Sequence, residues 1–312
     1  MERQPRIGLN TNPPSLLHRI YPSSGPRIRA PILLHRWRGR TLVLILGLLA
    51  AVFNAHAQVS DDLVIETHQG FVNWTRGYIQ VKAVKVPKLN AEMAETAKAA
   101  EADAREKLVS MAYDIPIDTF RHVRDLDTAE LDLLSNIRQR VSGIPIYKQQ
   151  YLSDGTAQIV LRLNLTGAFA ELVLPSEIKH IDLVRTVQGA KADTNTGGGK
   201  LFSGLVVDAK GIGLQPAMTP GIVDENGRQV YGELYASREF AVQQGMCRYF
   251  RDLEAARRAP RVGDRPLMVR GLRTAGPGKT HVVINNADAD KIRSASEHLT
   301  LLRKCQVVLV VD

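Results

Sequence analysis

Between residues 156 and 165 apolar and polar side chains alternate almost throughout. Ala157, Ile159, Leu161, Leu163 and Leu165 fall on one side of an extended chain, and Thr156, Gln158, Arg162 and Asn164 on the other. Successive side chains of a strand point to opposite faces, so this run can only be a strand buried on one side. A slip of one residue would turn the apolar set to water, which fixes the register. Ser153-Asp154-Gly155 folds the strand back on Ile144 to Leu152, a hairpin. An antiparallel sheet follows, with helices on one face and the other face left for water or a partner.

The segments around it supply that cover. Tyr78 to Val86 alternates Ile79, Val81 and Ala83 with Gln80 and Lys82, and Pro87 ends it. A helix capped by Asn90 places Met93, Ala97, Ala100, Ala104, Leu108 and Met111 on one stripe, its alanines allowing close approach to a sheet. Glu92, Glu95, Lys98, Glu101, Arg105 and Glu106 form its solvated face. A second helix starts at the capping-box pair Asp127 and Glu130, buries Leu131, Leu134, Ile137 and Val141, and stops at Gly143.

Gly189 to Lys200, GAKADTNTGGGK, has no large apolar residue and reads as a flexible linker. Beyond it, Ser203 to Asp208 is a short buried strand. Asp224-Glu225-Asn226-Gly227 is a hairpin turn, since Asn-Gly accepts the positive φ angles required. Ser237 caps a helix of about Glu239 to Arg258, with Phe240, Cys247, Phe250 and Leu253 on one face and Gly245 weakening its middle. Pro266 to Leu272 and Thr280 to Ile284 are strands around the turn Gly276-Pro277-Gly278. A helix of about Asp288 to Arg303 buries Ile292, Ala295, Leu299 and Leu302, and Gln306 to Val311, apolar on both faces, is a central strand.

The fold class is therefore α+β: two small domains, each an antiparallel or mixed sheet with helices on one face, joined by a Gly-rich linker. The boundaries are 1–57 for a basic leader, 58–187, 188–200 for the linker, and 201–312 for a C-terminal α/β or α+β domain.

Charge is distributed unevenly. Of a net +9, residues 1–40 carry +7, from eight arginines against the single acid Glu2. The remaining +2 belongs to everything after Ala57, too little for a phosphate-backbone footprint, so nucleic acid is not a partner. Arg36, Arg38 and Arg40 precede the charge-free stretch Thr41 to Ala57, which closes on Ala55-His56-Ala57, an A-x-A cleavage signal. Export and cleavage after Ala57 are expected, leaving no stable membrane span. The same stretch also meets the lower length limit for a retained anchor, about 17 residues. A basic region this long also suits a translation start near Leu33 or Leu34. No cysteine lies at the site to be acylated.

The search for chemistry finds little. Gly211-Ile212-Gly213 lacks the third glycine of a dinucleotide fingerprint, which falls on Pro216. Asn286, Asp288, Asp290 and Glu297 match a calcium-loop spacing, but Lys291 takes the place of the turn glycine, and acids in a first helical turn explain them better. His68, His122, His180, His281 and His298 show no metal-ligand spacing. No cofactor is expected. Asp208, at a strand end, and Asp224 are the acids a carbohydrate-processing cleft would have to pair. Cys247 and Cys305 are the only cysteines, and an exported chain permits their disulfide, although both also read as small buried apolar residues.

The order of strand, alanine-rich helix and Asp-Gly hairpin, followed by GLVVDAKGIGLQPAMTPGIVDENGRQVYG at 204–232, resembles periplasmic accessory proteins of the bacterial flagellum, assembly proteins T and P, and the small surface lipoproteins grouped with them. The resemblance implies a structural part of the envelope with no enzymatic site. The absent lipoprotein cysteine departs from it. The reading is a non-catalytic, periplasmic or cell-surface module that binds envelope proteins, flagellar basal-body components or a second copy of itself. The alternative is a periplasmic enzyme or binder of cell-wall or surface carbohydrate.

Overall fold

The strand run at 156–165 takes its place in a five-stranded antiparallel sheet, in a computed structural model that describes residues 62–90, 92–126, 132–179 and 201–312. The cleavage signal at Ala55 and Ala57, the pair Asp127 and Glu130, His180 and the linker 188–200 lie outside the described residues. The described residues all belong to one unit, Ser60–Asp312.

The first sheet contains β1 (Val64–Glu66), β2 (Gly70–Asn73), β3 (Tyr78–Lys85), β4 (Lys148–Tyr151) and β5 (Ala157–Asn164), in the order β1-β2-β3-β5-β4. β3 and β5 pair along their whole length, from Tyr78 opposite Asn164 to Lys85 opposite Ala157. Ile79, Val81, Ala83, Ala157, Ile159 and Leu161 are fully buried on one face. Helix α1 (Met93–Tyr113) lies against it through Ala100, Ala104 and Leu108, and the two alanines let helix and sheet approach. Its start differs from the expectation. Asn90 has φ 63°, in the left-handed region, and Glu92 occupies the N-cap, so Met93 is exposed. Helix α2 (Leu133–Ser142) packs on α1, and α3 (Ala168–Val173) follows β5. β1 and β2, too short to show a period, went unread in the sequence.

The second sheet is mixed and has seven strands. β6 (Leu205–Asp208), β7 (Gly221–Asp224), β8 (Gln229–Tyr231), β9 (Arg248–Phe250), β10 (Leu267–Ala275), β11 (His281–Ile284) and β12 (Val307–Val310) lie in the order β8-β7-β11-β10-β6-β12-β9. β9, β12, β6 and β10 run parallel, while β11 and β7 run the other way. Leu205, Val207, Val307 and Leu309 point into the main core. Val206, Val308 and Val310 join Ala256 and Val262 in a smaller cluster on the opposite face. This explains why β12 is apolar on both sides.

Two helices expected here are broken. The expected helix 239–258 is instead α4 (Arg238–Gln244), then β9, then α5 (Leu253–Arg257). Gly245, at φ 78°, ends α4, and the next residues gain more by pairing with β12. The expected helix 288–303 is α6 (Asn286–Arg293) and α7 (Ser296–Arg303), separated where Ala295 is extended.

The main hydrophobic cluster continues across both sheets. Asp62 bridges to Phe250, Thr75 donates to the Tyr249 carbonyl (2.6 Å), and the Trp74 and Tyr249 rings meet edge to face with centroids 5.7 Å apart.

Candidate interaction face and the polar seam

The side of the first sheet that α1 does not cover carries an organised polar and aromatic surface. Arg162 on β5 projects between two tyrosines, its guanidinium carbon 3.7 Å from the Tyr147 ring centroid and 4.5 Å from that of Tyr78. Its Nε donates to Gln80 Oε1 (2.5 Å) on the neighbouring strand, and Phe71 meets Tyr78 edge to face. These contacts fix long side chains before any partner arrives, which lowers the entropy lost on binding. Edge strand β4 is exposed at every residue and flanked by the exposed Tyr147 and Leu152.

Arg162 and Tyr147 also border a broad, open concavity of about 1160 Å3, bounded further by Arg140, Asn164, Phe169 and Leu172. Small-molecule sites are typically enclosed and of about 300–1,000 Å3. This one is wider and shallower. Among the described residues lining it are two arginines, Arg140 and Arg162, and no carboxylate.

A second polar group sits where the loop 115–122 meets the second sheet. Asp118 accepts from Phe120 N (2.6 Å), Arg121 N (2.9 Å) and Arg121 Nε (2.7 Å), so its carboxylate shapes the loop and holds Arg121. The Thr219 hydroxyl lies 2.8 Å from the Ile117 carbonyl and 3.1 Å from Glu233 Oε1. Burial raises the Glu233 carboxyl above its ordinary range, reinforced by Asp118 and Glu177 and opposed by Thr219 and Arg121. A hydroxyl has one proton. If it goes to Ile117, a neutral Glu233 can donate in turn. His281 is held below its ordinary value by burial and faces the same pocket, of about 160 Å3. The group can hold a proton, but with Asp118 committed to its loop it does not present two free carboxylates to one space.

The acids singled out by sequence are far apart. Asp208 accepts from Lys210 N at the end of β6. Asp224, at the end of β7, is fully shielded and paired with Arg228 (2.8 Å) and Arg293 (3.0 Å). Desolvation would raise its carboxyl, but hydrogen bonds from Arg228 and Arg293 outweigh it and the net shift is downward. Two strands separate β6 from β7, a lateral gap of about 14 Å, even though the registers bring Asp208 level with Arg270 and Asp224 level with the next residue of β10, Gly271. They cannot form a carboxylate pair.

The remaining candidates are structural. Asn285 caps α6 by accepting from Asp288 N, Asp288 binds Lys291, and Asp290 faces Arg293. His298 stacks on Phe202, and His122 lies beside Asp125. Cys247 and Cys305 are free, buried thiols. Burial pushes them up to about 12 and about 11 respectively. Among the described residues no helix is long and apolar enough to cross a membrane, and no group of three or more His, Cys, Asp or Glu could hold a metal ion.

Nothing in sequence points to Arg162, Tyr147 and Tyr78 as a group, although Arg162 stands on the polar side of the alternation at 157–165. No curated protein matches the chain. Residues 204–312, which contain the whole seven-stranded sheet, match the family model for the second domain of Treponema pallidum Tp0624.

Proposed function

We propose that this chain is an exported, non-catalytic envelope module that binds another envelope protein through the uncovered face of its first sheet. The observation that carries this reading is Arg162, clamped between Tyr78 and Tyr147 beside a wide concavity with two arginines and no described carboxylate. Arginine and tyrosine dominate binding energy at protein interfaces, and a cationic, open surface suits an acidic polypeptide segment. The leader supports delivery to the periplasm or cell surface, and the resemblance at 204–232 supports flagellar basal-body components as candidate partners.

The test is site-specific photo-crosslinking from position 147 in intact cells, with and without the paired change Arg140→Glu and Arg162→Glu. A discrete crosslinked envelope protein that disappears with charge reversal supports the proposal. The same crosslinks in both forms, or none, would remove its basis. Carbohydrate recognition would require binding that survives the charge reversal, measured on purified cell-wall fragments.

A further inference from the structure

A recess separate from the Arg162 concavity lies where β2, the end of α1 and the loop 115–122 meet the second sheet, and its volume is about 450 Å3. Small-molecule sites span about 300–1,000 Å3, are lined mainly by apolar side chains and favour the contact between two packed halves. This one has that character. Val72, Trp74, Met111, Ile115, Pro116 and Pro216 supply apolar wall, and Phe120 extends it at the rim, where its ring is 75% exposed. The walls are held in place. Asp118 fixes the turn that carries Phe120 by accepting from Phe120 N and Arg121 N, and Gly278 N donates to Thr119 O (2.9 Å). A Cβ at Gly278 would come within 2.7 Å of that carbonyl, so the second sheet's turn is seated directly on the loop. A recess preformed in this way costs little ordering when it is filled.

One wall residue is left incomplete. Thr280, just before β11, is 2% exposed, and among the described residues its hydroxyl has no hydrogen-bond partner. A hydroxyl withdrawn from water without a partner is unfavourable, and native proteins leave few of them. A polar group seated against that wall is what would satisfy it. The charges around the recess define the rest of the ligand. Asp114 and Asp118 are the carboxylates in the described lining, and no lysine or arginine lies there. Carboxylate, sulfonate and phosphate groups would therefore meet repulsion. A cation is not called for either, since Arg124 lies 2.5 Å from Asp114 and Arg121 2.7 Å from Asp118.

We propose that this recess binds an uncharged, phenol-type aromatic molecule of about two fused rings, its rings against Trp74 and Phe120 and its hydroxyl paired with Thr280. The aromatic walls favour a flat ring system, which gains stacked or edge contacts beyond its buried area. A hydroxyl suits Thr280 because each can donate and accept.

The probe is 2-naphthol, measured by equilibrium dialysis against the full-length chain at about pH 7, where the phenol is uncharged. Naphthalene and naphthalene-2-sulfonate serve as the apolar and anionic comparisons. A single equivalent of 2-naphthol should bind saturably and more tightly than naphthalene, and the sulfonate should not bind. Thr280→Val keeps the shape and removes the hydroxyl. It should weaken 2-naphthol about three- to tenfold, leave naphthalene unchanged, and melt no lower than the unaltered chain by calorimetry. Phe120→Ala, at an exposed position, should weaken both. A lack of saturable binding, equal binding of the sulfonate, or 2-naphthol affinity unchanged in Thr280→Val or in Phe120→Ala overturns the assignment. So does a lower melting temperature for Thr280→Val, which would mean that the hydroxyl already has a partner within the protein.

Discussion

Tyr249→Phe removes one oxygen from the core and should be among the most damaging small changes available. The Tyr249 hydroxyl accepts from Ala217 N and donates to Ala217 O, both at 2.9 Å, and both residues are buried. It therefore satisfies both polar groups of one peptide position that no other group reaches. Without it, a backbone N–H and a carbonyl remain buried and unpaired, at about 1–3 kcal/mol each. Relief from desolvating the phenol offsets part of this, giving a net loss of about 2–4 kcal/mol. Tyr231→Phe is the internal control. Its hydroxyl donates to a single carbonyl, Met246 O (2.6 Å), so the loss should be about half as large. Guanidinium denaturation followed by Trp74 emission would report both, as a lower midpoint at unchanged slope. A loss under about 0.5 kcal/mol for Tyr249→Phe, or a larger loss for Tyr231→Phe, would refute the reasoning.

Other outcomes follow from the same geometry. Because the Glu233 carboxyl is raised in the folded state, its contribution is fully present below the ordinary carboxylate range and is lost as pH rises through the raised value. Glu233→Gln should accordingly raise the thermal midpoint at pH 8 and leave it unchanged at pH 4, measured by calorimetry. Gly276→Ala places a Cβ at φ 78° and 2.1 Å from Thr119 Oγ1, and should cost about 2 kcal/mol or more in the same denaturation assay. Cys247 and Cys305, buried and held far from the thiolate form, should resist iodoacetamide at pH 8 and react fully in denaturant, as read by intact mass.

What the sequence made legible was whatever one local period could encode. The alternation at 157–165 has a single solution because its apolar set must reach one core, and the Asn-Gly turn after Asp224 likewise has few alternatives. β9 failed that test. Phe240, Cys247, Phe250 and Leu253 keep helical spacing, and only the left-handed Gly245, together with a free edge on β12, converts Arg248–Phe250 into a strand. The sites were less legible still. Asp118, Glu233 and His281 are brought together only by the contact of the loop 115–122 with the second sheet.

The two sheets are distinct in topology but not in their chemistry. Met218 N and Thr219 N donate to the carbonyls of Pro116 and Ile117, Gly278 N donates to Thr119 O, and Gly167 N donates to Val242 O. Arg238 on α4 reaches the carbonyls of Leu174 and Pro175 beyond α3. Each of the four backbone bonds pairs a group of one sheet's connections with one from the other, so neither half satisfies all its own peptide groups at the contact. Arg248 lies within this contact, between Gly77 of the first sheet's turn and Gly245 of the second sheet's α4. The cavity beside it exists only while the halves are joined, whereas Arg162, Tyr78 and Tyr147 come from β5, β3 and the chain entering β4.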